Sequence, residues 1–108
     1  MAVDVLSGNS LLENMVSTYI DRVKEIPEVR YVAFIEDSPP ILVTILDAGR
    51  LDHGVGAKVS DVVGSVILEL EPPGVPPVID FRTTNLGNIM PEHREGAVHS
   101  YKRFLFKR

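Results

Sequence analysis

The hexapeptide Ile41–Leu46 constrains the fold more than any other segment, because it places apolar side chains on both faces of a strand. It reads Ile-Leu-Val-Thr-Ile-Leu, and successive side chains of a strand point to opposite faces of the sheet. A strand of this kind must be covered on both sides. The preceding run, Val29–Glu36, is rich in β-branched and aromatic residues, and the polar, Pro-containing turn Asp37–Pro40 predicts that the two runs form a hairpin.

Two amphipathic helices flank this hairpin in the sequence. The first begins at a capping box formed by Ser10 and Glu13 and ends before Pro27. The second is predicted to begin near Ser60, or slightly earlier, and to end before Pro72. Each carries one apolar stripe at helical spacing, which predicts that both pack on the same face of a sheet. The stripes are Leu12, Met15, Val16, Tyr19, Ile20 and Val23, and then Val59, Val62, Val63, Val66, Ile67 and Leu70.

The remaining segments complete an α+β fold. Residues 47–56 are predicted as a loop, residues 79–84 as a strand and residues 85–96 as a second loop. Residues 97–107 fit either a terminal strand or a short helix, and their aromatic density favours the strand. We expect residues 1–108 to form a single domain, a two-layer sandwich with a largely antiparallel sheet of about four strands and both helices on one face.

The second face of this sheet is left without a cover. Either the C-terminal segment or a second subunit must cover it. We therefore expect a homodimer, with an interface that includes Phe34, Leu42, Phe104 and Phe106.

Composition limits the kinds of environment and partner that we expect for the chain. The absence of cysteine excludes disulfides and thiolate metal sites. The first ten residues contain no basic residue and no apolar core, so we expect no signal peptide and a cytoplasmic location. Apolar runs fall far short of the roughly 20 residues that cross a bilayer, so no membrane contact is expected.

Charge is divided unevenly along the chain. Residues 1–93 carry 6 basic and 14 acidic side chains, whereas residues 94–108 carry 5 basic and 1 acidic. An acidic body repels phosphate backbones, which argues against nucleic acid as a partner. The basic and aromatic segment 101–108 has the composition of a polyanion-binding tail, but a terminal strand whose charges guard a sheet edge explains it better.

A glycine-containing segment before the second helix is the candidate anion site. Gly54, Gly56, Lys58 and Ser60 fall where a loop meets a predicted helix N-terminus, and such a terminus can hold a phosphate or carboxylate. The spacing fits neither a phosphate-binding loop nor a dinucleotide fingerprint, and a plain connector is the competing interpretation. The three histidines lack the close spacing of metal ligands, so no metal, cofactor or catalytic residue is predicted.

The order of elements resembles that of small nucleotidyltransferase-type domains. In chain order the elements are a helix, the strand Val-Arg-Tyr-Val-Ala-Phe, the strand Ile-Leu-Val-Thr-Ile-Leu-Asp, a second helix and the strand Val-Ile-Asp-Phe. Glu-Gly-Ala-Val, Tyr101 and a basic C-terminal segment follow. The resemblance implies a Gly-Ser signature, paired aspartates and a third carboxylate that together bind magnesium. Here residues 36–38 and 41–43 replace the signature and the paired aspartates, and Asp80 alone matches the third carboxylate. The resemblance therefore implies a degenerate domain that has lost its activity.

These observations favour a non-catalytic protein-interaction module that forms a homodimer, with an unidentified protein as a further partner. The alternative is a degenerate nucleotidyltransferase-like enzyme or a nucleotide-binding or anion-binding domain. In that alternative Asp80 and Lys58 are the residues expected to matter.

Overall fold

Residues 10–108, the part of the chain that the computed structural model describes, form three α-helices, a short 3-10 helix and four strands. The helices are α1 (Ser10–Val23), α2 (His53–Leu70) and α3 (Pro91–His99), and the 3-10 helix spans Leu86–Asn88. The strands are β1 (Val29–Ile35), β2 (Ile41–Leu46), β3 (Asp80–Asn85) and β4 (Phe104–Lys107). The predicted α+β class is confirmed.

The sheet has the strand order β3-β2-β1-β4 and is mixed. β1 pairs antiparallel with β2, as the predicted hairpin requires, and also with β4. β3 pairs with β2 in parallel, with Ile41 opposite Asp80 and Leu46 opposite Asn85. Parallel neighbours need a long crossover, and α2 supplies it. The carboxyl ends of β2 and β3 therefore lie side by side.

Both amphipathic helices pack on one face of the sheet, as predicted. Val16, Tyr19 and Val66 are buried there with residues of β1 and β2. The two helices also contact each other, since the Arg22 guanidinium donates to Ser65 Oγ at 2.9 Å and pairs with Glu69. Some residues of each stripe are only half-buried, because each stripe is wider than the contact its helix makes with the sheet. These residues are Ile20, Val62, Val63, Ile67 and Leu70.

The second face is covered by the chain itself. Leu86 of the 3-10 helix is buried against Ala33, Val43 and Ile45, and half-buried residues from the following segments complete the cluster. Those residues are Ile89, Val98, Tyr101 and Phe104. The prediction of a loop over residues 85–96 is wrong, because this stretch holds the 3-10 helix and most of α3. The expected cover by the C-terminal segment is confirmed, and α3 adds to it.

The C-terminal strand is confirmed and tied to the sheet at both of its ends. The Phe34 N–H donates to the Arg103 carbonyl at 2.9 Å, and the Arg108 N–H donates to the Arg30 carbonyl at 2.8 Å. The Arg108 guanidinium also donates to three backbone carbonyls in residues 24–29, just after α1. A cation at the end of a helix satisfies carbonyls that have no partner within it. Residues 104–108 are thus a structural part of the sheet.

A buried polar pair joins α1 to the centre of the sheet. The Tyr19 hydroxyl hydrogen-bonds to the Thr44 hydroxyl, and both side chains lie in the core. Burial raises the pKa of Tyr19 to about 12, although the hydrogen bond with Thr44 acts in the opposite direction. Burial disfavours the charged phenolate, whereas the neutral hydroxyl keeps its partner.

This pair predicts a loss of stability at high pH. In the unfolded chain Tyr19 ionises near pH 10, but in the folded chain it stays protonated until about pH 12. Its contribution is therefore complete below pH 10 and declines by about 1.4 kcal/mol per pH unit above it. Urea unfolding of the native chain and of Tyr19→Phe should show this extra decline only in the native chain. Parallel declines in the two proteins would contradict the assignment.

Candidate functional site

An open crevice of about 700 Å³ lies at the carboxyl ends of the two parallel strands. One wall comes from residues 47–50, which follow β2, and the other from residues 87–91 together with Arg94 of α3. Ligands of open sheets with parallel strands bind at this position, outside the carboxyl ends. The crevice is therefore the candidate functional site.

The side chain of Asn85, the last residue of β3, joins the two walls. Its Oδ1 accepts hydrogen bonds from the Ala48 N–H and the Gly87 N–H, each at 3.0 Å. Its Nδ2 donates to the Gly49 carbonyl at 3.2 Å. One amide group thus satisfies three backbone groups that the ends of the strands leave without partners.

The two walls also approach each other through backbone contacts. A Cβ added to Gly87 would lie 1.8 Å from the Ala48 carbonyl oxygen, so no other residue type fits at this position. The Asn88 Oδ1 accepts a hydrogen bond of 2.7 Å from the Leu51 N–H. The walls of the crevice are therefore fixed relative to each other.

Leu51 adopts a backbone conformation that leucine rarely takes. Its φ is 59°, in the left-handed region, and it lies in a turn closed by the Asp52 N–H and the Gly49 carbonyl at 3.0 Å. Glycine or asparagine usually occupies such a position. The Leu51 side chain is 66% exposed, so packing in the core does not account for it. Met90, which lines the crevice, is 61% exposed.

Two arginines line the crevice together with Asp47. The Arg94 Nε donates to the Ile89 carbonyl at 3.0 Å, which orients the guanidinium. Within residues 10–108, neither Arg50 nor Arg94 forms a salt bridge. In contrast, Arg82 pairs with Asp80 at 2.9 Å. The guanidinium groups of the crevice are therefore available to a ligand.

The residues predicted as an anion site lie on helix α2 and not on a loop. α2 begins at His53, so the predicted start near Ser60 is wrong. The Asp52 carboxylate caps the helix by accepting from the Gly54 N–H at 3.0 Å and the Val55 N–H at 3.4 Å. An internal carboxylate therefore occupies the amides expected to bind an external anion.

The same helical geometry separates the four predicted residues from one another. Gly54 and Lys58 lie one turn apart on one side of α2, whereas Gly56 and Ser60 lie on another side. Lys58 and Ser60 are both exposed. The helix therefore does not bring these groups together at one point.

Asp80 lies at the amino end of β3, at the opposite end of the strand from the crevice. Its carboxylate is bonded to Arg82 in the way expected of two residues on one face of a strand. Among residues 10–108, no group of three or more His, Asp or Glu side chains is placed to hold a metal ion.

The predicted interface residues divide into two pairs. Phe34 and Leu42 are buried in the core under the helices, which corrects the expectation that they face a partner. Tyr19 and Val66 lie in the same core. Phe104 and Phe106 are half-buried, on the second face and on the helix face respectively. They keep some exposed surface on the edge strand β4.

Sequence reasoning missed the residues that build the crevice. Asn85, Gly87 and Asn88 were interpreted as loop residues of ordinary turn composition, and Leu51 carried no signal. The Asn-Leu-Gly-Asn sequence indicates a turn. It gives no indication that this turn meets the loop after β2.

Comparison with protein-family models, curated proteins and solved structures finds no match. None of the helices in residues 10–108 is long and apolar enough to cross a membrane.

The close approach of the two walls predicts opposite effects of alanine at two glycines. Gly87→Ala should lower the free energy of unfolding by about 2 to 4 kcal/mol, because the new methyl group forces the walls apart. Gly96→Ala, in open space on α3, should raise it by about 0.5 to 1 kcal/mol, because alanine is the better helix former. Chemical denaturation measures both, and a Gly87→Ala protein as stable as the native chain would contradict the geometry.

Proposed function

We propose that this protein is a non-catalytic interaction module that binds a partner protein in the crevice at the carboxyl ends of β2 and β3. The observation that carries the proposal is Leu51, a large apolar residue held in solvent at a positive φ. A strained backbone persists only where the surrounding structure enforces it, and such positions cluster at functional sites. Here the hydrogen bond from Leu51 to Asn88 enforces it.

The composition of the crevice supports a protein ligand. Met90 presents an exposed apolar side chain in the lining, and Arg50 and Arg94 present cations there. The exposed Leu51 directly follows Arg50 in the chain. Methionine and arginine are enriched at protein interfaces, where apolar anchors and charged groups act together. The asparagines, in contrast, hold the walls in place.

A homodimer is the alternative form of this proposal. The sequence predicted a homodimer because the second face of the sheet is apolar and needs a cover. In the structure, α3 and the C-terminal segment cover that face. A two-fold dimer through the crevice would also bring four arginines, Arg50 and Arg94 of each copy, into one interface with only two Asp47 carboxylates in its lining, and the excess of like charge opposes such pairing. We therefore propose a partner other than a second copy of the chain.

The degenerate nucleotidyltransferase alternative rests on Asp80. That carboxylate is bonded to Arg82 and lies at the far end of β3 from the crevice. No observation on residues 10–108 supports it over the interaction module.

Substitution of Leu51 separates binding from folding. In Leu51→Gly the strain is relieved and little buried area is lost, so the free energy of unfolding should be unchanged or up to about 1 kcal/mol higher. Peptides selected from a random displayed library on the native chain should bind this variant about tenfold more weakly or worse. Binding is measured by calorimetry, and the contact surface by amide shifts in NMR spectra.

The matched control is Leu68→Ala, since Leu68 is also exposed, at 87%, but lies on α2 away from the crevice. It should bind the selected peptides as the native chain does. Equal binding by Leu51→Gly, or amide shifts confined to residues outside 47–52 and 85–94, would refute the proposed site.

The oligomeric state distinguishes the two forms of the proposal. Light scattering at micromolar concentration should give a mass near 11.9 kDa. A mass twice as large, retained in Arg50→Gln, would favour the homodimer.

A further inference from the structure

We infer that the crevice recognises an acidic segment of its partner, with a carboxylate held by Arg50 and Arg94. This inference rests on the proposed function and specifies the chemistry of the ligand. The Arg94 guanidinium is already oriented by its bond from Nε to the Ile89 carbonyl, and its two terminal nitrogens remain available. An oriented guanidinium binds a carboxylate in a bidentate manner with little further loss of entropy.

Arg50 adds a second cation whose side chain forms no hydrogen bond or ion pair with the rest of residues 10–108. Asn88 contributes a further donor, because its Oδ1 is used by Leu51 while its Nδ2 makes no bond within the same residues. Both walls thus contribute donors to the lining of the crevice, and Asp47 is the one acidic side chain in that lining. This arrangement is complementary to a single anionic group.

The backbone of the crevice distinguishes a carboxylate from a phosphate. Phosphate sites use free backbone N–H groups that converge on the oxygens. Here the N–H groups of Ala48, Leu51 and Gly87 are all bonded to asparagine side chains. With these three N–H groups already bonded, and with Asp47 in the lining, we expect a doubly charged phosphate to gain less than a carboxylate does.

The apolar walls favour a peptide over a small free carboxylate. Met90 is exposed and Ile89 is half-buried in the wall that precedes Arg94. Leu51, also exposed, directly follows Arg50 of the other wall. A segment in which an aspartate or glutamate stands next to a large apolar residue can contact both kinds of group at once. A partner of this kind gains apolar burial as well as the ion pair.

The test uses the peptides selected on the native chain, without bias in the library towards charge. We expect the selected sequences to share an acidic residue next to an apolar one. Arg50→Gln and Arg94→Gln should each weaken binding by about tenfold, and replacing the acidic residue of the peptide by its amide should cause a similar loss. On Arg50→Gln or Arg94→Gln, replacing the acidic residue of the peptide by its amide should weaken binding little further, because both changes remove the same contact.

Matched controls isolate the crevice. Arg30→Gln removes an exposed arginine on β1, outside the crevice, and should leave binding unchanged. Affinity should fall as NaCl rises from about 50 mM to about 500 mM, because salt screens an exposed ion pair. Inorganic phosphate and succinate, added as separate competitors, should displace the peptide no better than NaCl of equal ionic strength.

Each contrary result has its own meaning. Selected peptides that lack acidic residues would overturn the inference of an acidic ligand but leave the proposal of binding in the crevice intact. Peptides that bind Arg50→Gln and Arg94→Gln as tightly as they bind the native chain would do the same. Displacement of the peptide by phosphate, with shifts at crevice amides, would identify a phosphate-type ligand and overturn the carboxylate. Displacement by succinate would identify a small carboxylate as the ligand and overturn the inference that the ligand is a peptide segment. Peptides that shift no crevice amide would refute the proposed function itself.

Discussion

The burial of β2 on both faces is the constraint on which the rest of the structure depends. All six residues of Ile41–Leu46 are buried, including Thr44. A strand of this kind must be central, and it lies between β1 and β3. Its one polar side chain needs a partner inside the core, since an unpaired buried hydroxyl costs about 1 to 3 kcal/mol. Tyr19 of α1 meets that need and fixes the position of the helix on the sheet.

The same constraint explains the opposite face. Ile41, Val43 and Ile45 point away from the helices and need a cover of their own. After β3 the chain supplies that cover in a short space, through the 3-10 helix, α3 and the segment that leads into β4. The path from β3 to α3 passes over the carboxyl end of β2. The crevice and its walls are therefore a consequence of how the second face is covered.

The sequence was sufficient to predict the elements whose pattern is local. α1, the hairpin and the terminal strand each carry their own periodicity or turn chemistry. The start of α2 was missed because Gly54 and Gly56 suggested a loop. Val55 nevertheless extends the apolar stripe by one turn before Val59, and Asp52 is a favoured N-cap residue.

α3 was missed for a different reason. The helix has no buried residue and only Ala97 and Val98 among its half-buried apolar side chains. A helix that contributes so little to the core leaves almost no periodic signal in the sequence.

The crevice was not predictable from the sequence, because strand order and strand direction depend on contacts between residues far apart in the chain. Asn85 and Gly87 acquire their roles only when β3 lies parallel to β2.

The strain at Leu51, directly after one wall of the crevice, is a local cost that the stability of the fold does not explain. A positive φ at a residue other than glycine costs on the order of 1 kcal/mol or more, and glycine or asparagine in the same turn would avoid it. Leucine also leaves apolar surface in water at this position, so both the backbone strain and the exposed side chain are unfavourable for the folded chain. The hydrogen bond to Asn88 holds the turn in one conformation, and Leu51 directly follows Arg50, which lines the crevice. For the proposed partner, a surface preorganised in this way loses less entropy on binding, and that gain would offset the local cost.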